Sequence, residues 1–222
     1  METIKIKKAY KGFAMEGVIA SWYSKTTLKD LNRHKQMASK LAGQIPAGGR
    51  VLEIAPGPGY FCIELAKLGN FQITGLNISK SFVQIARRNA QAAGMQIDFR
   101  QGNASALPFE DASFDFTFCQ AAFKNFSQPV KAIAEMYRVL RTGGTAVIVD
   151  MRNDASAQDI ERELKGMHLG RMDEWMTRIT FKQMLLKTAY GIAEMNSMIS
   201  QTPFGTGRVD VGGIGFMAWL KK

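Results

Sequence analysis

The sequence predicts an α/β chain built on a doubly wound, mostly parallel sheet that ends in an antiparallel hairpin. Three observations carry that reading. Short apolar runs alternate with segments of helical spacing from Val51 to Val149. Each run is followed by a turn rich in Gly, Asn, Asp or Ser, as strand-to-helix crossovers need. The tail alternates through Val209-Asp-Val211, turns at Gly212-Gly213 and continues from Ile214 to Leu220, which reads as a hairpin added to the sheet.

With 222 residues and 46% hydrophobic content, the chain can bury one sizeable core. The expectation is a single domain over 1–222. It comprises an N-terminal helical cap (1–49), a cofactor-binding core (50–152), and substrate-side helices with the C-terminal hairpin (153–222). No apolar run approaches the ~20 residues of a membrane span, and the first residues lack the apolar centre of a secretory leader. Cys62 and Cys119 fall inside apolar elements without metal-ligand spacing, so the expectation is reduced, buried thiols, no metal and a cytoplasmic protein. The net charge of +10 is uneven, since residues 1–50 hold ten Lys/Arg against three acids. Such an arm attracts anions or serves as a solvated helix face.

Taken in order, Leu31, Ala38, Leu41, Ala42 and Ile45 recur at helical spacing until Pro46-Ala-Gly-Gly49. The aromatic pair before them divides by chemistry. Trp22 is expected to anchor a helix on the core, while Tyr23, with a hydroxyl that needs a partner, is the candidate for a polar contact. Val51–Ile54 suits a buried strand, Ala55-Pro-Gly-Pro-Gly59 a turn, and Phe61, Leu65 and Leu68 a helix. Phe71–Leu76 is a second strand, after which Ser79 caps a helix with the stripe Phe82, Ile85, Ala86, Ala90, Ala93. Gln96–Gln101 and Phe114–Cys119 read as the third and fourth strands. Pro129 opens a helix with Val130, Ile133, Ala134, Tyr137 and Leu140 on one face, stopped by Gly143-Gly144. Ala146–Val149 is a fifth, interior strand. Residues 154–200 are methionine-rich and helical in character.

Parallel strands place the loops after them along one edge. That edge gathers Ala55–Gly59, Asn77, Asn103-Ala104, Gln120–Lys124 and Asp150–Arg152. Two cofactors compete for the glycine loop. A dinucleotide wants a third small residue where the helix packs on the strand, but Gly57-Pro-Gly59-Tyr-Phe is followed by Cys62. Pro58 also removes an N–H that a pyrophosphate would use.

The fuller pattern comprises Val51-Leu-Glu-Ile-Ala-Pro-Gly-Pro-Gly59, Thr74-Gly-Leu-Asn-Ile-Ser79 and Gly102-Asn-Ala104 with Leu107-Pro-Phe109. It continues with Ser113-Phe-Asp115 and the run from Glu135 to Gly144. It resembles the class I S-adenosylmethionine (SAM)-dependent methyltransferases, in their small-molecule, ubiquinone/menaquinone-biosynthesis-type (methyltransferase type 11) branch. The resemblance implies a Rossmann-like sheet of seven strands and SAM as cofactor. By the same resemblance, Glu53, Ala55, Gly57 and Gly59 hold the methionine part, with Glu53 accepting from its amino group. Asn77 and Ile78 lie at the ribose, Asn103 and Ala104 at the adenine, and Gln120 and Ala121 at the sulfonium. Two departures stand out: Ala55 replaces the family's first glycine, and Asn77 replaces its ribose-binding acid.

The implied reaction is methyl transfer by in-line displacement to a small, hydrophobic or aromatic acceptor. It requires a base only where the acceptor carries a proton. His168, Tyr23 and Lys124 are the candidate catalytic groups, and Arg152 faces either an acidic substrate or Asp154. A nucleic-acid methyltransferase steered by the basic segment, and a non-catalytic SAM-binding or scaffold protein, are the competing readings. No dedicated motif for a flipped base follows the fourth strand, where Gln120-Ala-Ala-Phe123 stands.

Overall fold

Seven strands form one sheet in the order β3-β2-β1-β4-β5-β7-β6. The computed structural model describes residues 10–11, 15–28, 31–166 and 188–222. Two helices come first, α1 (Gly17–Thr27) and α2 (Leu31–Ala42). Alternation follows through β1 (Arg50–Ile54), α3 (Tyr60–Ala66), β2 (Gln72–Asn77), α4 (Lys80–Ala92) and β3 (Asp98–Gln101). It resumes with β4 (Phe114–Gln120), a 3₁₀ turn at Phe123–Asn125, α5 (Pro129–Val139) and β5 (Leu140–Met151). Beyond these lie α6 (Ala157–Gly166), α7 (Ile192–Ser200), β6 (Arg208–Gly212) and β7 (Gly215–Lys221).

Strands β1 to β5 pair in parallel, so their C-terminal ends share one edge. β7 runs antiparallel to both β5 and β6 and lies between them. The expected hairpin is therefore present, with its second strand innermost.

Strand pleating sends alternate side chains to opposite faces. Leu52, Ile54, Ala146 and Ile148 meet α5 and α7 on one face through Ile133, Met136, Met195 and Ile199. Val51, Phe116, Phe118 and Val147 meet α2, α3 and α4 on the other, through Leu41, Phe61, Leu65 and Val83. Phe114 and Phe116 have the same parity yet face opposite cores, because the β4/β5 register shifts between them. Both cysteines are buried and unbonded to each other.

Local chemistry sets the α4 start as expected. The Ser79 hydroxyl accepts from the Phe82 N–H at 3.1 Å and donates to the Met15 carbonyl at 2.8 Å. Glu16 adds a second cap from a distance, since its two carboxylate oxygens accept from the Lys80 and Ser81 N–H groups, each at 3.0 Å. A carboxylate there also complements the positive end of the helix.

Five sequence expectations change. The helix after the glycine loop stops at Ala66, and Leu68 is exposed beyond it. Leu140 begins β5 rather than ending α5, because its position opposite Phe114 in the sheet takes precedence over the helical stripe. Gly143 has φ 80° within that strand and donates to the Lys222 carbonyl, so the Gly pair bends a strand instead of stopping a helix. Trp22 is 64% exposed and anchors nothing. The helix turns Ala20 and Ser24 inward, small residues that let α1 approach closely, and Tyr23 leans on Phe82 with ring centres 5.8 Å apart. The third strand is also shorter than its apolar run, starting at Asp98.

Candidate active site

The strand order reverses between β1 and β4, where the chain leaves β1 toward β2 on one side and β4 toward β5 on the other. A crevice opens at such a point because the two following loops turn away from each other. Both loops begin with an alanine in the left-handed region, Ala55 at φ 59° and Ala121 at φ 56°. Each turns the backbone sharply immediately after its strand. A Cβ is disfavoured in that conformation, so the replacement of a glycine by Ala55 retains the turn and adds strain to it.

The glycine loop divides its labour. A Cβ built on Gly57 meets nothing within 4 Å, so open space lies beside the loop there. At Gly59 the same atom would stand 2.8 Å from the Phe99 ring and 3.0 Å from the Ala86 methyl group. Gly59 is therefore a packing glycine that lets the α3 N-terminus settle on β3 and α4, whereas Gly57 leaves room for a ligand.

Glu53 points from β1 toward α3 and is 4% exposed. Its carboxylate accepts from the Cys62 thiol at 2.8 Å. Burial pushes its pKa up to about 7, with the Cys62 thiol and backbone N–H opposing that rise. Burial also raises the Cys62 thiol well above its usual value, assisted by the nearby Glu53 charge, so Cys62 serves as a neutral donor. Nothing in the sequence announced this pair; its members lie on opposite sides of the glycine loop.

At the end of β2, Asn77 is buried and its Oδ1 accepts from the Ser79 N–H at 2.9 Å. The remaining amide group can only donate. Ile78 is half-buried beside it, its carbonyl accepting from Gln101 at 3.1 Å. After β3, Asn103 accepts from the Ser105 N–H at 2.9 Å and Ala104 is half-buried. At the end of β4 the Gln120 Oε1 is buried and, among the described residues, has no hydrogen-bond partner. An orphaned acceptor of this kind at the crevice is a place for a ligand donor.

The candidate catalytic groups fare differently. His168 lies outside the described residues, as do most of the methionines between 154 and 200; Met195 and Met198 belong to the core under α7. Tyr23 packs under α1 on α4. Lys124 is buried, and its ammonium donates to Asp150 at 2.8 Å and to the Ala121 carbonyl at 2.9 Å. Asp150 also accepts from the Lys124 and Met151 N–H groups. Lys124 thus braces the loops after β4 and β5 together instead of offering a free cation. Arg152 pairs with Asp154 and Asp159.

Described residues of the N-terminal part attach at two places along the same edge. Lys11 donates through its backbone to the Asn125 carbonyl and through its ammonium to the Tyr190 hydroxyl, both at 2.6 Å. Residues 15–17 dock at the α4 start. These two attachments straddle the switch-point crevice.

A family model described as a methyltransferase domain matches residues 52–148. This segment is similar to that domain. It runs from β1 through the apolar centre of β5 and so contains the loops that follow β1, β2, β3 and β4. A demethylmenaquinone methyltransferase of Deinococcus radiodurans is 39% identical over 108 residues, which are 48% of this chain and 45% of that protein. A ubiquinone/menaquinone biosynthesis C-methyltransferase of Roseobacter denitrificans is 34% identical over 107 residues, 47% of this chain and 43% of its own. The aligned segment is thus about half the length of the curated relatives it matches. Among solved structures, one from Methanococcus maripaludis assigned as a SAM-dependent methyltransferase superposes with TM-score 0.77 at 19% identity, covering 96% of this chain and 95% of that one. That likeness establishes the class I Rossmann-like fold.

The residues of the matched segment fit SAM, on the open space beside Gly57 and the orphaned Gln120 acceptor. Asn77 is the weak point. An aspartate would keep the bond to Ser79 with one oxygen and offer a charged oxygen where the resemblance places the ribose. Charge-assisted hydrogen bonds are about twice as strong as neutral ones, so Asn77→Asp is expected to tighten SAM binding roughly fivefold to tenfold. Calorimetric titration of the two proteins checks this, and tighter binding by the wild type would contradict it.

Proposed function

We propose that the protein transfers a methyl group from SAM to a small, hydrophobic or aromatic acceptor. What supports the reading is the reversal of strand order between β1 and β4, with open space beside Gly57 and with Glu53, Asn77, Asn103 and Gln120 on the strands and loops of that edge. The names of the curated relatives extend the proposal to a quinol-type ring as acceptor.

Bound SAM supplies an electrophilic methyl on a sulfonium, which an acceptor atom displaces in line. The chain's part is alignment and desolvation. Glu53 would hold the amino group, Asn77 the ribose, Asn103 and Ala104 the adenine, and Gln120 and Ala121 the sulfonium side. Lys124 and Asp150 keep the loops after β4 and β5 at fixed separation, so that the acceptor meets a formed wall. His168 remains the proposed proton acceptor for an O-acceptor and Tyr23 the proposed polar contact, and a cytoplasmic, one-domain enzyme is the proposed setting.

The test incubates the full chain with methyl-labelled SAM and separate panels of quinols, phenols and nucleic acids, followed by mass spectrometry of the products. Label on the ring compounds supports the proposal. Label confined to nucleic acid, or SAM binding without transfer to any acceptor, would replace it by one of the competing readings.

A further inference from the structure

The two large apolar residues of α1 that follow its first glycine, and the tryptophan one turn later, all face solvent. Val18 is 85% exposed, Ile19 50% and Trp22 64%. The same helix buries only Ala20 and Ser24. Its amphipathicity is thus inverted, with small residues turned to the protein and large apolar ones turned away. Scattered exposed apolar residues are ordinary, but three on one helical face, one of them a tryptophan, mark a contact surface.

The charge around that face identifies its partner. Helices α1, α2 and α4 contain one, three and three Lys/Arg residues, and no Asp or Glu. Arg33 on α2 is paired with Glu163. Lys25, Lys80 and Arg88 are exposed and, among the described residues, have no carboxylate within salt-bridge distance. Arg88 shares a shallow groove of about 380 Å³ with Gly17, Val18, Ser21, Gln84 and Ile85, so a cation stands directly beside the apolar face. Glu16, at the base of α1, is turned onto the α4 N-terminus.

We propose that the outward face of α1 docks on an anionic lipid bilayer, with Val18, Ile19 and Trp22 entering the interface and Lys25, Lys80 and Arg88 meeting the headgroups. An apolar stripe flanked by cations fits the boundary between acyl chains and anionic headgroups. Tryptophan suits that boundary in particular, having a large apolar body and an N–H that prefers water. Nucleic acid would use the cations and leave the apolar stripe without a partner. Because Glu16 and Met15 fasten the base of α1 to the start of α4, docking would bring the edge of the sheet that carries Asn77 close to the membrane.

The experiment is co-sedimentation of the full chain with phosphatidylcholine vesicles, with and without phosphatidylglycerol, in the absence of cofactor and acceptor. Failure here therefore leaves the methyl-transfer reading untouched. Binding is expected only to the anionic vesicles, weakening as salt screens the headgroups. Trp22→Ala is expected to lower the partition coefficient about tenfold or more, since a large apolar side chain is lost from the interface. The double variant Lys80→Glu, Arg88→Glu is expected to lower it at least as far, roughly tenfold or more. All three positions are exposed, and circular dichroism confirms that the variants fold. The proposal is overturned by equal binding to neutral vesicles or by no binding at all. It is also overturned if Trp22→Ala leaves vesicle binding unchanged, if the variant instead abolishes a dimer of this chain, or if the wild type binds duplex DNA in preference to vesicles.

Discussion

Lys124→Met is expected to lower the free energy of unfolding by about 3–5 kcal/mol, the range for removing one member of a buried ion pair. The side chains of Lys124 and Asp150 are 8% and 1% exposed, so water does little to screen the charge left behind. Asp150 would retain the Lys124 and Met151 N–H groups as donors, yet no cation would balance it. That charge would then draw in water, which loosens the loops after β4 and β5. Adding Asp150→Asn removes the stranded charge while keeping one acceptor oxygen. The double variant is therefore expected to recover part of the loss, a coupling of the kind a double-mutant cycle measures. Urea unfolding of the four proteins checks this. A loss below about 1 kcal/mol in the single variant would show that the pair behaves like an exposed surface bridge.

Glu53 gives the second large effect, and it appears as pH dependence. Its pKa is raised by burial to about 7 from an ordinary value of 4.5, so between those values the folded state holds a proton that the unfolded state has lost. Stability from this group is full below the lower value and is lost as pH rises through the upper one, by roughly 3 kcal/mol in all. Glu53→Gln keeps a carbonyl acceptor for the Cys62 thiol and does not titrate. The difference in stability between wild type and Glu53→Gln is expected to move in favour of the variant as pH rises through 7. The ammonium of SAM favours the ionised carboxylate, so SAM affinity is expected to rise over the same interval, with proton release on binding below pH 7. Denaturation curves and calorimetry in buffers of different ionisation enthalpy read the two effects separately. A flat wild-type profile would place Glu53 in a wetter environment than its burial implies.

Local features were legible in the sequence. Ser79 caps α4 because a serine oxygen can reach an N–H three residues on, and that rule needs no knowledge of the rest of the chain. The glycine loop could be placed for the same reason, and with it the edge that carries Asn77, Asn103 and Gln120. Long-range pairings were not legible. Lys124 finds Asp150 only because β4 and β5 pair in one particular register, 26 residues apart in the chain. Cys62 reaches Glu53 only because α3 folds back over β1. Trp22 was misread because an aromatic residue can face either way on a helix, and the small inward stripe of Ala20 and Ser24 decides it. Leu140 satisfied a helical period and was taken by the sheet instead.

The position of β7 also constrains the order in which the sheet is assembled. β6 pairs with β7 alone, and β7 pairs with β5. The strand synthesised earlier is therefore the outermost, and it has no seat in the sheet until the strand synthesised after it has arrived. Until then β5, with its apolar run Ala146–Val149, presents an open edge. The hairpin between β6 and β7 spans only a short turn and can form by itself on a microsecond scale, so the last step of sheet completion is the docking of a ready-made ribbon onto β5. Slowing that ribbon, by substitutions in the turn at Gly212–Gly215, would lengthen the time during which β5 can pair with another molecule.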